Sequence, residues 1–446
     1  LKGLNEKINF FLEEATIEIS NDKRKYLNNM FKNSCLSVIK GAAGTGKSFL
    51  IKIISEIFKS HKKIYLTNTN SAKDNLKRLI GGNEKNFKTV KSFLSQNNVD
   101  ETDFLFIDEC SNISNKQMYD ILKKSNFKIL VLSGDECQLE SIVFGTWFNL
   151  IDLIINDESI CRLDCDWRSN NNQIKKLWEK TRNIKKDEIL ENIVTNNFSV
   201  TTDNLQEFFK KECEDEIYLC LTYNGAFGIN NINKIIQSKN KEMSVKHGIY
   251  EFKKNDPILF LDSKKYGKIL HNNLKGKIVD ILSDEKSDST YFVLEVEKSL
   301  DEIETREIGV DLIEFLENNK TKIGMRISKK RNFDNDDSQE TDSILPFQLS
   351  YAISIHKSQG LEYEYVKIII GEDEIKKITH EIFYTAITRC KKNLKILWDE
   401  ITSKKIINNF KNIGDFSREF KLLNLLEKEK YKYLIQYFIL FKNFKF

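Results

Sequence analysis

The sequence predicts an α/β protein that has two parallel-sheet domains and a small all-β insert in the second. Between residues 36 and 150, short apolar runs alternate with stretches of helical periodicity, which is typical of a parallel sheet with crossover helices. A second set of apolar runs lies between residues 217 and 398. Short alternating segments and turn residues interrupt it, which favours antiparallel strands there. A chain of 446 residues is also longer than one hydrophobic core usually organises.

The apolar runs predict the strands of each domain. In the first domain they are residues 36–39, 64–67, 104–107 and 129–132, and in the second they are 217–221, 353–355, 366–370 and 394–398. The alternating segment 291–296 predicts a strand of the insert. The predicted boundaries are 1–150 for the first domain, 151–270 and 345–400 for the second, 271–344 for the insert and 401–446 for a helical tail.

Charge and cysteine content set few limits on function. Lys and Arg total 70 and Asp and Glu total 66, so the net charge of +4 neither demands nor excludes a nucleic-acid partner. The eight cysteines lack the paired spacing of a zinc site, so we expect reduced thiols in a cytoplasmic protein. No apolar run reaches the roughly 20 residues of a membrane span, so no membrane association is expected. The chain begins with Leu1, which indicates a processed chain or part of a longer one, with room for an upstream domain or a protein partner.

A phosphate-binding loop follows the first predicted strand and precedes a helical stretch. Its glycines let backbone N–H groups converge on phosphates at a helix N-terminus. Lys47 is expected to neutralise the β and γ phosphates, and Ser48 to offer its hydroxyl to Mg²⁺. The predicted nucleotide contacts are Gly41, Ala42, Ala43, Gly44, Thr45, Gly46, Lys47, Ser48 and Phe49.

Two carboxylates end the predicted strand 104–107. Asp108 is placed to hold the metal, and Glu109 to activate the attacking water. An acidic pair at a strand end is usually only the start of a loop, but together with the phosphate loop it predicts hydrolysis of a nucleoside triphosphate. The next predicted strand is followed by Gln138, which can reach the γ phosphate as a sensor of its loss.

In their order along the chain, these motifs resemble those of the superfamily 1 helicases, and among them the RecD-like members of the B branch. The most branch-specific segment is His356-Lys357-Ser358-Gln359-Gly360. The resemblance covers nearly the whole chain and implies two RecA-like domains, ATP and Mg²⁺ in the cleft between them, and a barrel-like insert. It also implies an ATP-dependent helicase or translocase that moves 5′ to 3′ on single-stranded nucleic acid, with DNA favoured over RNA. Two other functions stay open: a nucleic-acid-stimulated sensor ATPase module of a larger assembly, and an RNA helicase of the same superfamily.

The resemblance also implies roles for individual residues. Arg168 and Arg389 would reach across the cleft to the γ phosphate, and a planar guanidinium suits the charge that develops there. The residues near the nucleotide would include Gln359, Gly360 and Glu362. Those in contact with the strand would be Thr67, Asn68, Asn70 and Ser92 in the first domain and Ser354, His356 and Lys357 in the second. The alternative for the Ser, Thr and Asn residues is ordinary strand-end and helix-cap chemistry.

Two features depart from the family pattern. The family usually has a Gln that reads the adenine edge near the start of the chain, and residues 19–25 contain none, so strict preference for ATP is not implied. The segment that often forms a strand-separating hairpin is reduced here to residues 95–103, which is too short for a long wedge at about 3.3 Å per residue. A GTPase switch is disfavoured, because no Asn-Lys-x-Asp motif follows the phosphate loop.

Overall fold

The computed structural model describes residues 2–14, 21–31, 34–97, 101–139, 145, 147–153, 155, 157–163, 168–263, 265–267, 269–283, 289–328 and 345–410. These residues form two compact units. The first unit contains the described residues up to Asn196, residues 376–392 and the described residues from Lys404 onward. The second unit contains the described residues of Asn197–Ile375 and Asn393–Ser403.

The described chain alternates between strands and helices in its first part and is richer in strands in its second. In chain order the strands are β1 (Leu36–Gly41), β2 (Lys63–Thr67), β3 (Phe87–Thr89), β4 (Thr102–Ile107), β5 (Phe127–Gly134), β6 (Ile160–Leu163), β7 (Ser199–Val200), β8 (Glu216–Cys220), β9 (Ser244–His247), β10 (Tyr250–Lys253), β11 (Pro257–Phe260), β12 (Lys275–Ser283), β13 (Ser289–Val296), β14 (Asp311–Leu316), β15 (Lys320–Ser328), β16 (Phe347–Leu349), β17 (Ala352–Ser354), β18 (Tyr363–Ile369) and β19 (Cys390–Leu397). The α-helices are α1 (Lys2–Glu14), α2 (Asn21–Asn29), α3 (Lys47–Ile57), α4 (Asn70–Ile80), α5 (Val90–Ser95), α6 (Asn115–Lys124), α7 (Asn172–Arg182), α8 (Lys186–Thr195), α9 (Leu205–Phe208), α10 (Ile229–Gln237), α11 (Glu302–Ile308), α12 (His380–Ile387) and α13 (Glu400–Asn408).

The first unit is built on a parallel sheet with the strand order β3-β2-β4-β5-β1-β6. The four strands predicted for the first domain are confirmed as β1, β2, β4 and β5. Both faces of the sheet are buried, because alternate residues of β4 enter different apolar clusters. Phe104 packs with Phe31 and Phe58 on one face, and Leu105 packs with residues that include Ile121 of α6 on the other. The two-sided burial is what a parallel sheet with helices on each face requires.

The first sheet extends past the boundary predicted at residue 150. β6 pairs in parallel with β1, with Val38 opposite Ile160. The helices that follow β6 stay in the same unit, because the Trp178 indole N–H of α7 donates to the Ile387 carbonyl of α12 at 2.9 Å. A hydrogen bond at 2.8 Å likewise joins His380 Nε2 to the Thr181 carbonyl. Residues after 150, and residues 376–392, therefore belong with the first sheet by pairing and packing.

The second parallel sheet has the strand order β17-β8-β18-β19-β7. The four strands predicted for the second domain are confirmed as β8, β17, β18 and β19. β8 lies between β17 and β18 and is parallel to both. The antiparallel strands lie between β8 and β17 in the sequence. This is why β8 and β17, which are neighbours in the sheet, are so far apart along the chain. Two mixed α/β units, each with a parallel sheet, agree with the predicted fold class.

The predicted all-β insert is confirmed as a six-stranded sheet with the order β14-β15-β13-β12-β11-β16, and its described pairings are antiparallel. Residues of β13 alternate between partly exposed and buried, as the alternating segment 291–296 predicts. β11 and β16 lie outside the predicted insert 271–344, so the sheet is larger than expected. The acidic segment 334–342 and residues 411–446 of the predicted tail lie outside the described residues.

None of the helices in the described part of the chain is long and apolar enough to span a bilayer. The segment predicted to be too short for a long strand-separating hairpin lies between the end of α5 at Ser95 and the start of β4 at Thr102. Only residues 96–101 separate these two elements, and residues 98–100 are outside the described ranges.

Phe104→Ala is expected to lower the free energy of unfolding of the first unit by about 3–5 kcal/mol, because it removes a fully buried ring from the centre of one face of the sheet. The ring of Phe104 lies 4.8 Å from that of Phe58, centroid to centroid. Chemical denaturation followed by circular dichroism measures the change. The matched control is Phe10→Ala, whose ring is 60% exposed, and this variant should differ from the wild type by less than about 0.5 kcal/mol. Equal losses in the two variants would contradict the placement of Phe104.

Candidate functional site

The phosphate loop connects β1 to α3 in a conformation that glycine makes possible. Gly44 and Gly46 have φ angles of 83° and 87°, in the left-handed region that other residues rarely adopt. Gly46 is the N-cap residue of α3, and no side chain caps this helix. The first N–H groups of α3 are therefore available to an anion, and the helix dipole favours negative charge there.

Lys47 and Ser48 occupy the first turn of α3. Lys47 Nζ donates to the carbonyl oxygens of Gly41 and Ala42, both at 2.8 Å. Burial lowers the pKa of Lys47, whereas the charges of Asp135 and Asp108 act in the opposite direction. Ser48 Oγ donates to Asp108 Oδ2 at 3.0 Å. The structure thus brings together the hydroxyl and the carboxylate that the sequence predicts as metal ligands.

Asp108 and Glu109 follow the carboxyl end of β4. Glu109 has a φ angle of 56°, an unusual conformation for a non-glycine residue, and such conformations are frequent at functional sites. Its Oε2 is buried without a hydrogen-bond partner among the described residues. Burial raises the pKa of Glu109 to about 7, and the charge of Asp108 adds to this effect, whereas Arg389 and Lys47 oppose it. A carboxylate with a pKa near 7 is well matched to accept a proton at neutral pH.

Gln138 lies just beyond the carboxyl end of β5. Its Nε2 donates to Asp135 Oδ2 at 3.2 Å, so a buried carboxylate orients the amide. The next residue connects this segment to α12, because the Leu139 amide donates to Thr385 Oγ1 at 3.1 Å. The predicted sensor is therefore close in the structure to the helix that precedes Arg389.

The two predicted arginines converge at the end of α12. Arg389 is 2% exposed, and its Nε donates to the Thr385 carbonyl at 3.0 Å. Arg168 Nη1 donates to the Thr388 carbonyl at 2.8 Å. Both arginines lower the pKa of Glu109, so they act electrostatically on the carboxylate at the end of β4. The predicted boundaries assign Arg168 and Arg389 to the second domain, whereas the structure groups both with the first sheet.

Arg182 belongs to the same charge cluster, and sequence reasoning missed it. It is the last residue of α7, and its charge lowers the pKa of Lys47. Burial alone would lower the pKa of Arg182, but the charges of Asp135 and other acidic neighbours together outweigh it and hold that pKa above its ordinary value. A basic residue at a helix end is common for reasons of the helix dipole, so the sequence carried no separate signal for this role.

The predicted strand-binding residues of the first unit lie after the carboxyl ends of β2 and β3. Thr67 Oγ1 donates to the Thr69 carbonyl at 2.9 Å, and Asn68 Nδ2 donates to the Asn112 carbonyl at 3.0 Å. Asn70 begins α4, and Ser92 is exposed on α5. The hydrogen bond of Thr67 is of the local kind that the alternative interpretation expects, whereas that of Asn68 reaches a residue 44 positions further along the chain. Contact of these four residues with a nucleic-acid strand stays a prediction.

In the second unit, the predicted strand-binding residues lie at the end of β17 and directly after it. Ser354 pairs with Cys220 of β8, and its Oγ accepts a hydrogen bond from the Lys357 amide at 3.1 Å. His356 is exposed. Lys357 Nζ donates to Gln348 Oε1 at 3.1 Å and lies 5.8 Å from the centroid of the Tyr223 ring.

Tyr223 is a second residue that sequence reasoning missed. It follows β8, and its ring is 43% exposed beside Lys357. An exposed aromatic ring next to a cation at the end of parallel strands is a suitable surface for a nucleic-acid base. Its sequence signal was weak, because a single Tyr in a loop with Asn and Gly residues is unremarkable by itself.

Gln359, Gly360 and Glu362 come after the same turn. Gly360 has a φ angle of 75°, and the Glu362 carbonyl accepts a hydrogen bond from Lys275 Nζ at 3.0 Å. All three residues belong to the second unit. Their predicted position near the nucleotide stays a prediction.

The fold and the first site define a class of protein. A parallel sheet carries a phosphate loop after its first strand, a Ser–Asp pair next to that loop, and a carboxylate with a raised pKa surrounded by Lys and Arg side chains. This combination is that of a P-loop nucleoside triphosphatase.

Comparison with known proteins shows which families the chain resembles. Residues 18–202 match the model of the AAA domain, and residues 349–397 match that of the UvrD-like helicase C-terminal domain. An uncharacterized protein of Methanocaldococcus jannaschii is 25% identical over 92% of this chain, and RecBCD enzyme subunit RecD of Buchnera aphidicola is 24% identical over 84% of it. The chain spans 40% of the length of the first relative and 72% of the second.

Solved structures of Pif1 helicases share the fold. Bacteroides Pif1 bound to ssDNA has a TM-score of 0.53 and 16% identity, and the match covers 92% of this chain and 98% of that one. Pif1 helicase from Candida albicans has a TM-score of 0.51 and 17% identity, with 91% and 100% covered. In sequence the chain is similar to RecD-like proteins of the superfamily 1 helicases, and in fold it is similar to Pif1 helicases.

Glu109→Gln is expected to stabilise the protein at neutral and alkaline pH but not at acid pH. The folded state keeps the Glu109 proton up to about pH 7, whereas the unfolded chain loses it near the ordinary pKa of 4.5. The wild type therefore loses stability from this group as the pH rises between these two values, and the neutral amide does not. The Tm of the variant should exceed that of the wild type by about 2–4 °C at pH ~8 and nearly match it at pH ~4.

The matched control for this experiment is Glu101→Gln, since Glu101 is exposed at the other end of β4. Its Tm should follow that of the wild type at both pH values. A Glu109→Gln variant whose Tm difference from the wild type does not change with pH would contradict the raised pKa.

Proposed function

We propose that this chain is an ATP-dependent helicase or translocase that moves along single-stranded DNA in the 5′ to 3′ direction. The observation that carries the proposal is the convergence of Lys47, Arg168 and Arg389 on Glu109, whose pKa they lower against the effect of burial. Similarity to helicases supports a link between hydrolysis and a nucleic-acid strand. The relatives include a subunit of the RecBCD enzyme, and the similar structures include a Pif1 bound to ssDNA.

Each charged residue has a separate task in the proposed hydrolysis. Lys47 binds the β and γ phosphates, and Glu109 accepts a proton from the attacking water. Arg389 and Arg168 donate hydrogen bonds to the γ-phosphoryl group as negative charge spreads over its oxygens. Gln138, oriented by Asp135, contacts the γ phosphate and responds to its release.

The residues beside the phosphate loop fit a magnesium ion. Ser48 Oγ and Asp108 Oδ2, 3.0 Å apart, are the hard oxygen ligands that Mg²⁺ prefers. Mg²⁺ commonly binds one or two protein ligands, and water and substrate phosphates supply the rest. When bound, the ion would neutralise phosphate charge, and Ser48 and Asp108 would hold it there.

Residues of both units are proposed to hold the strand. In the first unit they are Thr67, Asn68, Asn70 and Ser92. In the second unit they are Ser354, His356 and Lys357, while Gln359, Gly360 and Glu362 are proposed to respond to the nucleotide. Directional movement requires that the affinity of these residues for the strand differ between nucleotide states.

The proposal predicts ATP hydrolysis that single-stranded DNA stimulates and that depends on the buried cations. Lys47→Ala is expected to abolish hydrolysis. Arg389→Lys should lower kcat by about 10³-fold, because an ammonium keeps the charge but lacks the planar fork that donates to a phosphoryl group. Steady-state hydrolysis with single-stranded DNA, matched RNA or no polymer measures both effects.

The control for these variants is Lys52→Ala, which changes a partly exposed lysine on the same helix as Lys47. It should hydrolyse ATP at the wild-type rate. Hydrolysis that neither polymer stimulates would favour the sensor ATPase of a larger assembly, and stimulation by RNA alone would favour the RNA helicase. Stimulation by DNA without unwinding or displacement of a bound strand in either direction would contradict translocation.

Lys357→Ala is expected to weaken binding of single-stranded DNA about 3- to 10-fold, because it removes a cation that would contact a phosphate. The slope of log K against log salt concentration should become shallower by about 0.7, the value for one contact to a single strand. Fluorescence anisotropy at several salt concentrations measures both quantities. Lys241→Ala is the control, since Lys241 is exposed in the same unit and is proposed to touch no strand. An unchanged salt slope in Lys357→Ala would remove Lys357 from the strand site.

A further inference from the structure

The residue before the phosphate loop is a buried lysine that the proposed hydrolysis does not use. Lys40 of β1 is 2% exposed. Its Nζ lies 3.0 Å from Glu136 Oε2 and 2.8 Å from Asp152 Oδ1. Burial of a charge in an apolar strand is costly, and a buried ion pair usually adds little stability compared with apolar side chains of similar volume. The stability of the sheet therefore does not account for a lysine at this position.

One partner of Lys40 belongs to the segment that carries the proposed sensor. We call residues 135–139, which directly follow β5, the sensor loop. Within this loop Asp135 is 2% exposed and accepts a hydrogen bond from Gln138 Nε2 at 3.2 Å. Glu136 is the next residue along the chain. The side chain that Lys40 holds is therefore adjacent to the carboxylate that orients the sensor.

Other contacts fix the two ends of the sensor loop. At its start, β5 ends at Gly134, where an added Cβ atom would come within 2.6 Å of the Phe148 ring, so this ring packs directly against the backbone. At its end, the Leu139 amide donates to Thr385 Oγ1 at 3.1 Å. The ion pair of Glu136 holds the part of the loop between these points and connects it to β1.

Lys40 thereby joins the sensor loop to the phosphate loop. The residue after Lys40 is Gly41, whose carbonyl accepts a hydrogen bond from Lys47 Nζ at 2.8 Å. On the other side of the ion pair, Glu136 is two residues from Gln138. A single ion pair therefore lies between two groups that are proposed to contact the γ phosphate. Such groups must keep their relative position, because a displacement of about 1 Å can lower a rate about 10²-fold.

We propose that Lys40 and Glu136 are positioning residues, whose ion pair holds Gln138 in place relative to Lys47 for hydrolysis. This inference rests on the proposed function, because it names what positions the sensor of the same hydrolytic site. Neither Lys40 nor Glu136 contacts the nucleotide in this account, so binding through the phosphate loop does not depend on them. Asp152 provides an internal comparison, since it is as close to Lys40 but lies outside the sensor loop.

The test measures kcat and KM for ATP, with saturating single-stranded DNA, in Lys40→Met, Glu136→Ala and Asp152→Ala. The first two variants are expected to lower kcat about 10- to 100-fold, because they release the sensor loop, and to keep KM within about twofold of the wild type. Affinity for ADP, which has no γ phosphate, should stay at the wild-type value by isothermal titration calorimetry. Asp152→Ala is the matched control and should keep the wild-type kcat, since it removes the other carboxylate of the same lysine.

Three further measurements separate positioning from a general effect on folding. Lys40→Met leaves the side chains of Glu136 and Asp152, which are 33% and 32% exposed and so can be hydrated. Its Tm should therefore fall by less than about 4 °C. Lys40→Arg keeps the charge and should retain most of the wild-type kcat. The double variant Lys40→Met/Glu136→Ala should be no slower than the slower single variant, because both changes remove the same contact.

Four outcomes would overturn the inference. The first is a wild-type kcat in Lys40→Met. The second is an equal loss in Asp152→Ala, which would show that the ion pairs act on the fold as a whole. The third is weaker ADP binding in Lys40→Met, which would locate the effect in the phosphate loop itself. The fourth is a double variant in which the two losses multiply. If Lys40→Met melts below the assay temperature, Glu136→Ala decides the question, since its partly exposed side chain can be removed without opening the core.

Failure of the proposed function would look different. Hydrolysis that DNA does not stimulate would contradict a DNA-dependent motor. The kcat of each variant relative to the wild type would still be measurable in the same assay without DNA, so the role of Lys40 is tested in either case.

Discussion

The site at the carboxyl end of the first sheet combines three cations with two carboxylates, and most of these groups are buried. The cations are Lys47, Arg168 and Arg389, and the carboxylates are Asp108 and Glu109. Charges removed from water are unfavourable unless partners compensate for them. Burial lowers the pKa of Lys47 and raises that of Glu109, so both groups are driven towards their neutral forms. A nucleoside triphosphate with its metal would supply opposite charges to the cations. The charged groups are therefore already in place for the ligand, and holding them there lowers the stability of the folded protein. This is electrostatic preorganisation.

The first sheet supports this arrangement from both faces. Phe31, Phe58 and Phe104 pack edge to face or stacked below one face, so β4 cannot move without opening an apolar cluster. Asp108 directly follows β4, and Ser48 lies in the first turn of α3. The 3.0 Å hydrogen bond between them is thus held by two elements whose positions the same core determines. Rigid support of this kind keeps catalytic groups within the narrow geometry that they need.

Sequence reasoning succeeded where local pattern and local chemistry agree. The phosphate loop and the strands β1, β2, β4 and β5 have apolar runs and glycines that specify them without reference to the rest of the chain. β3 and β6 were missed because strands of three and four residues carry too little pattern. The membership of Arg389 in the first unit could not be read locally either. It depends on the pairing of β6 with β1 and on the hydrogen bond between Trp178 and Ile387, residues 209 positions apart.

The buried lysines of the chain illustrate how structure separates charges that the fold compensates from charges that a ligand would compensate. Lys367 of the second sheet is 3% exposed and forms an ion pair with Glu216 at 3.2 Å, and Lys40 of the first sheet has two carboxylates. In sequence, both are single lysines in apolar strands. The buried charges of Lys40 and Lys367 are each compensated by a carboxylate of the fold, whereas Lys23 and Lys47 lie at the phosphate loop without a described ion pair. A charge that the fold leaves uncompensated is best explained by a ligand that compensates it, and the proposed triphosphate would do so for Lys47.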